Sequence, residues 1–152
     1  MEGGRTMPEQ ETIERARKDK REGKSPSTQA GEFVREEIHH IREGKHGARS
    51  TKQAIAIGLS KARRAGVRLK PPQSAPAKTR QRAEQDYEKG QSRSAKPASS
   101  KRSRSASRAL QREGKKAASH QALSRHARAS LHRRGAAARS ASARKAAKTR
   151  NH

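Results

Sequence analysis

The chain has 152 residues, a formal net charge of +25 and 1% aromatic residues. Leu, Ile, Val and Phe number thirteen, well under the roughly 20% below which a highly charged chain is ordinarily disordered. There is no cysteine, hence no disulfide frame or thiolate site, and no run approaches the ~18 apolar residues of a membrane span.

The charge is graded along the chain. Residues 1–24 carry seven bases and six acids, residues 25–70 ten and four, residues 71–152 twenty-two and four. Nine of the thirteen large apolar residues fall between Phe33 and Leu69, so any folded unit is expected there. The expected class is mostly α with extensive disorder. It comprises a disordered N-terminus at 1–8 and a small helical hairpin or three-helix module at 9–69. A Pro/Ser/Ala/Lys linker follows at 70–100, then a basic, helix-prone but largely disordered arm at 101–135 and a disordered basic tail at 136–152.

Residues Glu9 to Glu22 read as a charge-laced helix closed by Gly23, with only Ile13 and Ala16 to offer apolar contact. Such a helix is expected to fray or to dock weakly. The second helix opens with Ser25 as cap and Pro26 at its first position, and stops at Gly44. Ala30, Phe33, Val34, Ile38 and Ile41 form its apolar stripe, leaving Glu32, Glu36, Glu43, Arg35, His39 and Arg42 for an outer face. The third helix starts from a Ser50–Gln53 capping box and stops at Gly66. Ala54, Ile55, Gly58, Leu59 and Ala62 share one side of it. Ile57 lies off that stripe and is expected either against the first helix or in a homodimer face. The isolated module has too small a core to be comfortable alone, and a dimer or a DNA partner would support it.

From Pro71-Pro72 onward the composition is that of an extended, solvated linker. Beyond it, Arg112-Glu113-Gly114-Lys115 and the following Ser119 echo Arg42-Glu43-Gly44-Lys45 and the following Ser50, and Arg21-Glu22-Gly23-Lys24 is a shorter echo. The shared grammar is helix, basic Gly turn, Ser/Thr cap, helix. It is either a duplication or a coincidence of biased composition. Read as a duplication, residues 103–113 and 120–134 are helix-prone and end at Gly135 as the third helix ends at Gly66. They would order on binding phosphates.

From Lys89 to the end there are nineteen Lys or Arg residues and one acid, Glu113. Like charges at that density repel in a compact state, and their natural partner is a polyanion whose counterions they release. Candidate phosphate contacts are Lys45, Arg49, Lys52, Arg63 and Arg64 in the module, then Lys78, Arg80 and Arg82 along the linker. The arm adds Lys101, Arg102, Arg104, Arg108, Lys115, Lys116, Arg125, Arg128, Arg133 and Arg134. The turn Gly44-Lys45-His46-Gly47-Ala48-Arg49 reads either as a phosphate cradle at a helix N-terminus or as an ordinary helix–helix connection. It lacks the Gly-Lys-[Ser/Thr] order of a nucleotide loop.

Base-specific readout by a helix-turn-helix is not expected, because the turn is long and only Lys52 and Gln53 stand near the start of the third helix. Nor is a metal or cofactor expected. His39, His40 and His46 show no fixed ligand spacing, His120, His126 and His132 step by six, and histidine reads better as an extra cation at mildly acid pH. Catalysis is not expected either, since the two aspartates, Asp19 and Asp86, sit in charged, solvent-facing contexts. One Phe and one Tyr supply no stacking platform for single strands.

Over residues 12–70, two stretches carry a resemblance. One runs from Ile13-Glu14-Arg15-Ala16-Arg17 to Gly31-Glu32-Phe33-Val34-Arg35-Glu36-Glu37-Ile38. The other is the run Glu43-Gly44-Lys45-His46-Gly47-Ala48-Arg49-Ser50-Thr51-Lys52-Gln53-Ala54-Ile55-Ala56-Ile57-Gly58-Leu59-Ser60-Lys61-Ala62-Arg63-Arg64. Together they resemble a family of small basic bacterial proteins of uncharacterised function whose members are often labelled DNA-binding. The tail is similar in composition to bacterial linker-histone-like proteins. The two resemblances imply a bacterial, nucleoid-associated protein.

The expected function is therefore non-enzymatic, largely sequence-independent binding of double-stranded DNA in the cytoplasm, at the nucleoid. Structured RNA is the alternative polyanion, as for a ribosome-associated assembly factor. A further alternative is a protein partner docked on the Ile57 side of the module.

Overall fold

Three serines start three helices. Ser25 Oγ accepts from the Thr28 N–H at 3.4 Å, Ser50 Oγ from Gln53 at 3.2 Å and Ser119 Oγ from Ala122 at 3.1 Å. Each satisfies one of the four N–H groups that a helix start leaves without a partner. Four glycines, Gly23, Gly44, Gly66 and Gly135, take the left-handed backbone that ends or breaks a helix. In the computed structural model, which describes residues 8–92 and 100–150, the helices are α1 (Gln10–Arg21), α2 (Pro26–Arg42), α3 (Thr51–Arg64), α4 (Ala77–Gln91), α5 (Ser100–Gln111) and α6 (His120–Arg150). A 3₁₀ turn, Lys116–Ala118, stands between α5 and α6, and no strand occurs among the described residues. None of these helices is long and apolar enough to cross a membrane.

The chain divides at Ala118/Ser119 into two units. In the first, α2 packs on α3, α1 on α2 and α4 on α3. Phe33, 1% exposed, is the largest side chain of a cluster with Ala16, Ala30, Ala62 and Val67, flanked by Ile13, Leu59 and Leu69. Eight of the twelve buried apolar residues among those described are alanine, so helices close on one another without large side chains between them. Gly58 shows how near they come. A Cβ there would lie 2.6 Å from the Val34 Cα, inside any van der Waals contact.

Several expectations are corrected. First, α1 does not dock weakly. Thr12, Ala16 and Asp19 are buried, Arg15 donates to Glu32 at 2.9 Å, and the Glu9 N–H donates to Glu36 Oε1 at 2.5 Å. Second, the 70–100 linker contains α4, whose Ala83 and Asp86 are buried against α3. Ser60 Oγ and Arg64 Nε donate to the two oxygens of Asp86, both at 2.7 Å. Third, Ile57 does not meet α1, which packs on α2, but lines a cavity with Ala83 of α4 and Leu110 of α5. Fourth, Asp19 and Asp86 are 7% and 9% exposed rather than solvent-facing. No Pro or Ser of the linker falls within residues 77–91; the Ala, Arg and Gln there are good helix formers, and α3 supplies the surface they need.

The arm is likewise helical rather than disordered. α5 covers most of its first half, and α6 runs to Arg150, broken at Gly135 with φ 78° and ψ 169°. Ala and Arg, among the best helix formers, dominate residues 136–150, which accounts for helix where every described side chain is exposed. The disorder expected at residues 1–8 falls, apart from Pro8, outside the described residues, as do 93–99 of the expected linker and 151–152 of the expected tail.

Candidate nucleic-acid interface

The Gly-rich turn between α2 and α3 is the first candidate, and five of its six backbone donors are already occupied. Gly44 and Lys45 donate to Ile41 and His40, closing α2. Gly47 donates to the Leu110 carbonyl at 2.8 Å and Ala48 to the Gly114 carbonyl at 3.2 Å. The Arg49 N–H donates to Gln53 Oε1 at 2.6 Å. This is the ordinary-connection alternative, with a tertiary purpose: the turn receives the segment that follows α5. Arg42 Nε and Thr51 Oγ1 complete the seat by donating to the carbonyls of Ala118 and Ala117, at 2.9 and 2.7 Å. The Arg-Glu-Gly-Lys motifs at 42–45 and 112–115 thus lie against each other, with Arg49 Nε 4.0 Å from Glu113. Their backbones differ, however. Gly44 is left-handed and Gly114 is not.

The cations of the first unit fall into three groups. Arg63 is buried, donates to the Leu69 carbonyl at 2.9 Å, and burial holds its guanidinium below the usual arginine value. It fastens the chain leaving α3 and is withdrawn as a phosphate contact. Arg64 is held by Asp86, and Lys45 lies 3.4 Å from Glu43 and 3.6 Å from Glu9. Lys52, Lys78, Arg80, Arg82, Lys101, Arg102, Arg104, Arg108, Lys115 and Lys116 are exposed, as is Arg49 despite Glu113 beside it.

In the second unit, Arg125, Arg128, Arg133 and Arg134 are exposed, together with Arg144, Lys145, Lys148 and Arg150, which lay outside the expected set. No Asp or Glu occurs after Glu113, so no carboxylate side chain of α6 can neutralise them. Each half of α6, about fifteen residues, is roughly 22 Å long.

The grouping that sequence reasoning missed is a buried polar cluster at the α2–α3 junction. Glu37 is fully buried and His40 is 3% exposed. Lys61 of α3 donates to Glu37 Oε1, and His46 Nε2 stands 3.0 Å from Glu37 Oε2. On the far side, His40 Nε2 lies 3.2 Å from Glu9 Oε1. Burial opposes the charge on Glu37, but His46 and Lys61 outweigh it and hold the carboxyl below its usual value. Glu37 in turn raises the His46 imidazole above its usual value, against burial and with help from the Gly47 carbonyl. The available signal was Glu37-x-x-His40, an i, i+3 pair on one helix face, which a search by histidine spacing alone passes over. Glu36, assigned to the outer face, is also buried, because α1 brings Glu9 over it.

Comparison with protein families, with curated protein sequences and with solved structures finds no match.

Proposed function

We propose that this is a non-enzymatic protein that binds double-stranded DNA with little regard to sequence, of the nucleoid-associated, histone-like kind that the sequence resemblance implies. The observation that carries the reading is α6. Eight of its Arg and Lys side chains are exposed on a helix that contains no acid. Duplex DNA presents one phosphate charge per about 1.7 Å of axis, so each half of α6 can meet several phosphates at once and release their counterions. The exposed cations of α4 and α5 give the first unit a basic surface of its own. Aromatic stacking on single strands has no support, since Phe33 is buried and Tyr87 is the only other aromatic ring.

The test is full-length protein against an Arg125/Arg128/Arg133/Arg134→Gln variant on a short fluorescent duplex, titrated with salt. The expected outcome is weaker binding and a log–log salt slope smaller by about 0.9 for each phosphate that the variant no longer neutralises. An unchanged slope rejects α6 as the DNA contact. Preferential displacement of the duplex by structured RNA at matched phosphate concentration selects the assembly-factor reading instead.

A further inference from the structure

Glu37 and His40 lie on one face of α2, three residues apart, and the Gly44 turn brings His46 back to them. One ligand atom from each lies within 4.8 Å of the other two. His40 Nδ1 is buried without any hydrogen-bond partner, and the buried Glu37 Oε2 faces His46 Nε2 at 3.0 Å. A buried donor or acceptor left unmade costs about 1–3 kcal/mol, so His40 Nδ1 calls for a physical reason.

The outer nitrogens supply it. His40 Nε2 faces the Glu9 carboxylate at 3.2 Å, and His46 Nδ1 faces the Gly47 carbonyl at 2.9 Å. Both partners only accept, so in each ring the outer nitrogen carries the proton. In the neutral rings, the lone pairs of His40 Nδ1 and His46 Nε2 are then turned inward, toward Glu37. A proton on His46 Nε2 relieves its contact with Glu37 Oε2 but leaves His40 Nδ1 without a partner, whereas a metal ion between the three atoms satisfies all of them. An outer N–H bonded to a carboxylate or a backbone carbonyl is the arrangement that orients metal-ligating histidines. Lys61 holds the other oxygen, Oε1, which leaves Oε2 directed at the rings.

We propose that Glu37, His40 and His46 form a binding site for a divalent transition-metal ion of the zinc type, with Glu9 and the Gly47 carbonyl as its outer support. Two imidazoles and one carboxylate are a donor set suited to zinc, at about 2.0–2.2 Å from each atom. Donors around such an ion stand roughly 3.3 Å apart. The His46–Glu37 pair is already at 3.0 Å, and small ring movements bring in His40. Access is provided by the cavity of about 440 Å³ that Ile57, Ala83 and Leu110 line, which reaches Glu37, His46 and Lys61. A second grouping, Glu9, Glu36 and His40, shares His40 but has Glu9 half exposed. The inner site is favoured because its two histidines are oriented by partners outside it.

Zinc is titrated into full-length protein against a chromophoric chelator, alongside His40→Gln, His46→Gln, Glu9→Gln, Glu36→Gln and, on the exposed side of α2, His39→Gln. One tight equivalent is expected in the wild type, unchanged in His39→Gln. It should weaken at least a hundredfold in His40→Gln and His46→Gln, and about ten- to a hundredfold in Glu9→Gln, the expected cost of losing outer support. Tight binding that survives His46→Gln and is lost in Glu36→Gln places the ion in the other grouping and overturns the proposal. Absence of a tight equivalent overturns it too, leaving a buried ion-pair cluster. Because a variant can fail to fold, ¹⁵N histidine spectra of the wild type give an independent reading. Zinc should move His40 Nδ1 and His46 Nε2, and a shift confined to His120, His126 or His132 contradicts the site.

Discussion

The N–H of Gly47 donates to the carbonyl of Leu110 at 2.8 Å, across 63 residues of chain. This bond and its neighbour from Ala48 to Gly114 bind the turn after α2 to the end of α5. A Cβ on Gly47 would lie 2.0 Å from the Glu113 carbonyl oxygen, so there is no room for any other residue. Gly47→Ala is expected to cost about 1–3 kcal/mol by forcing these backbones apart. Urea unfolding of full-length protein measures it, and amide exchange at Gly47 and Ala48 as fast as in an open loop would contradict the contact.

Asp86 fastens α4 to α3 through two charge-assisted hydrogen bonds, from Ser60 and from Arg64. Asp86→Asn should destabilise the first unit by about 1.5–3 kcal/mol. A double-mutant cycle with Arg64→Gln should show coupling, whereas additive effects would mean that α4 does not depend on this pair.

Phe33 is the one large aromatic side chain in a core otherwise dominated by alanine. Phe33→Ala should cost about 3–5 kcal/mol, a large part of an ordinary domain's stability. Circular dichroism should show loss of cooperative melting or a markedly lower midpoint.

The Glu37–His46 pair makes the metal-free protein pH-sensitive. His46 has its folded pKa raised above the ordinary 6.5, so its contribution is complete below that value and is lost as pH rises through the raised one. Glu37 has its folded pKa lowered below 4.5, so its contribution is complete above that value and is lost as pH falls through the lowered one. With chelator present, stability should be greatest between these limits. Lys61 and His40 also face Glu37, and they remain in a His46→Gln variant. That variant should lose the decline on the alkaline side, and a wild-type melting temperature flat from mildly acid to mildly alkaline pH would contradict the pairing.

Gly135 interrupts α6 with a left-handed φ of 78° and no neighbouring atom within 4 Å of where its Cβ would stand. Alanine there favours helix by about 1 kcal/mol and resists the left-handed backbone by a similar amount. Gly135→Ala should therefore join the two halves and raise helical ellipticity. No gain would mean that the halves are not helical on both sides of the break.

What the sequence determined by itself was local. Ser25-Pro26, Ser50, Ser119, Gly44, Gly66 and Gly135 mark helix limits because a cap or a left-handed glycine acts within one turn of its own position. The basic character of α6 was legible for the same reason, since charge is a property of composition. Tertiary structure decided which polar groups are buried and which backbone donors are free. Glu37, His46 and Lys61 come together only when α3 packs on α2, and Gly47 and Ala48 lose their capacity to bind phosphate only when the end of α5 meets them. α4 likewise needs the surface of α3, through Asp86. Each depends on segments distant in the chain arriving at the same place, and neither periodicity nor composition carries that information.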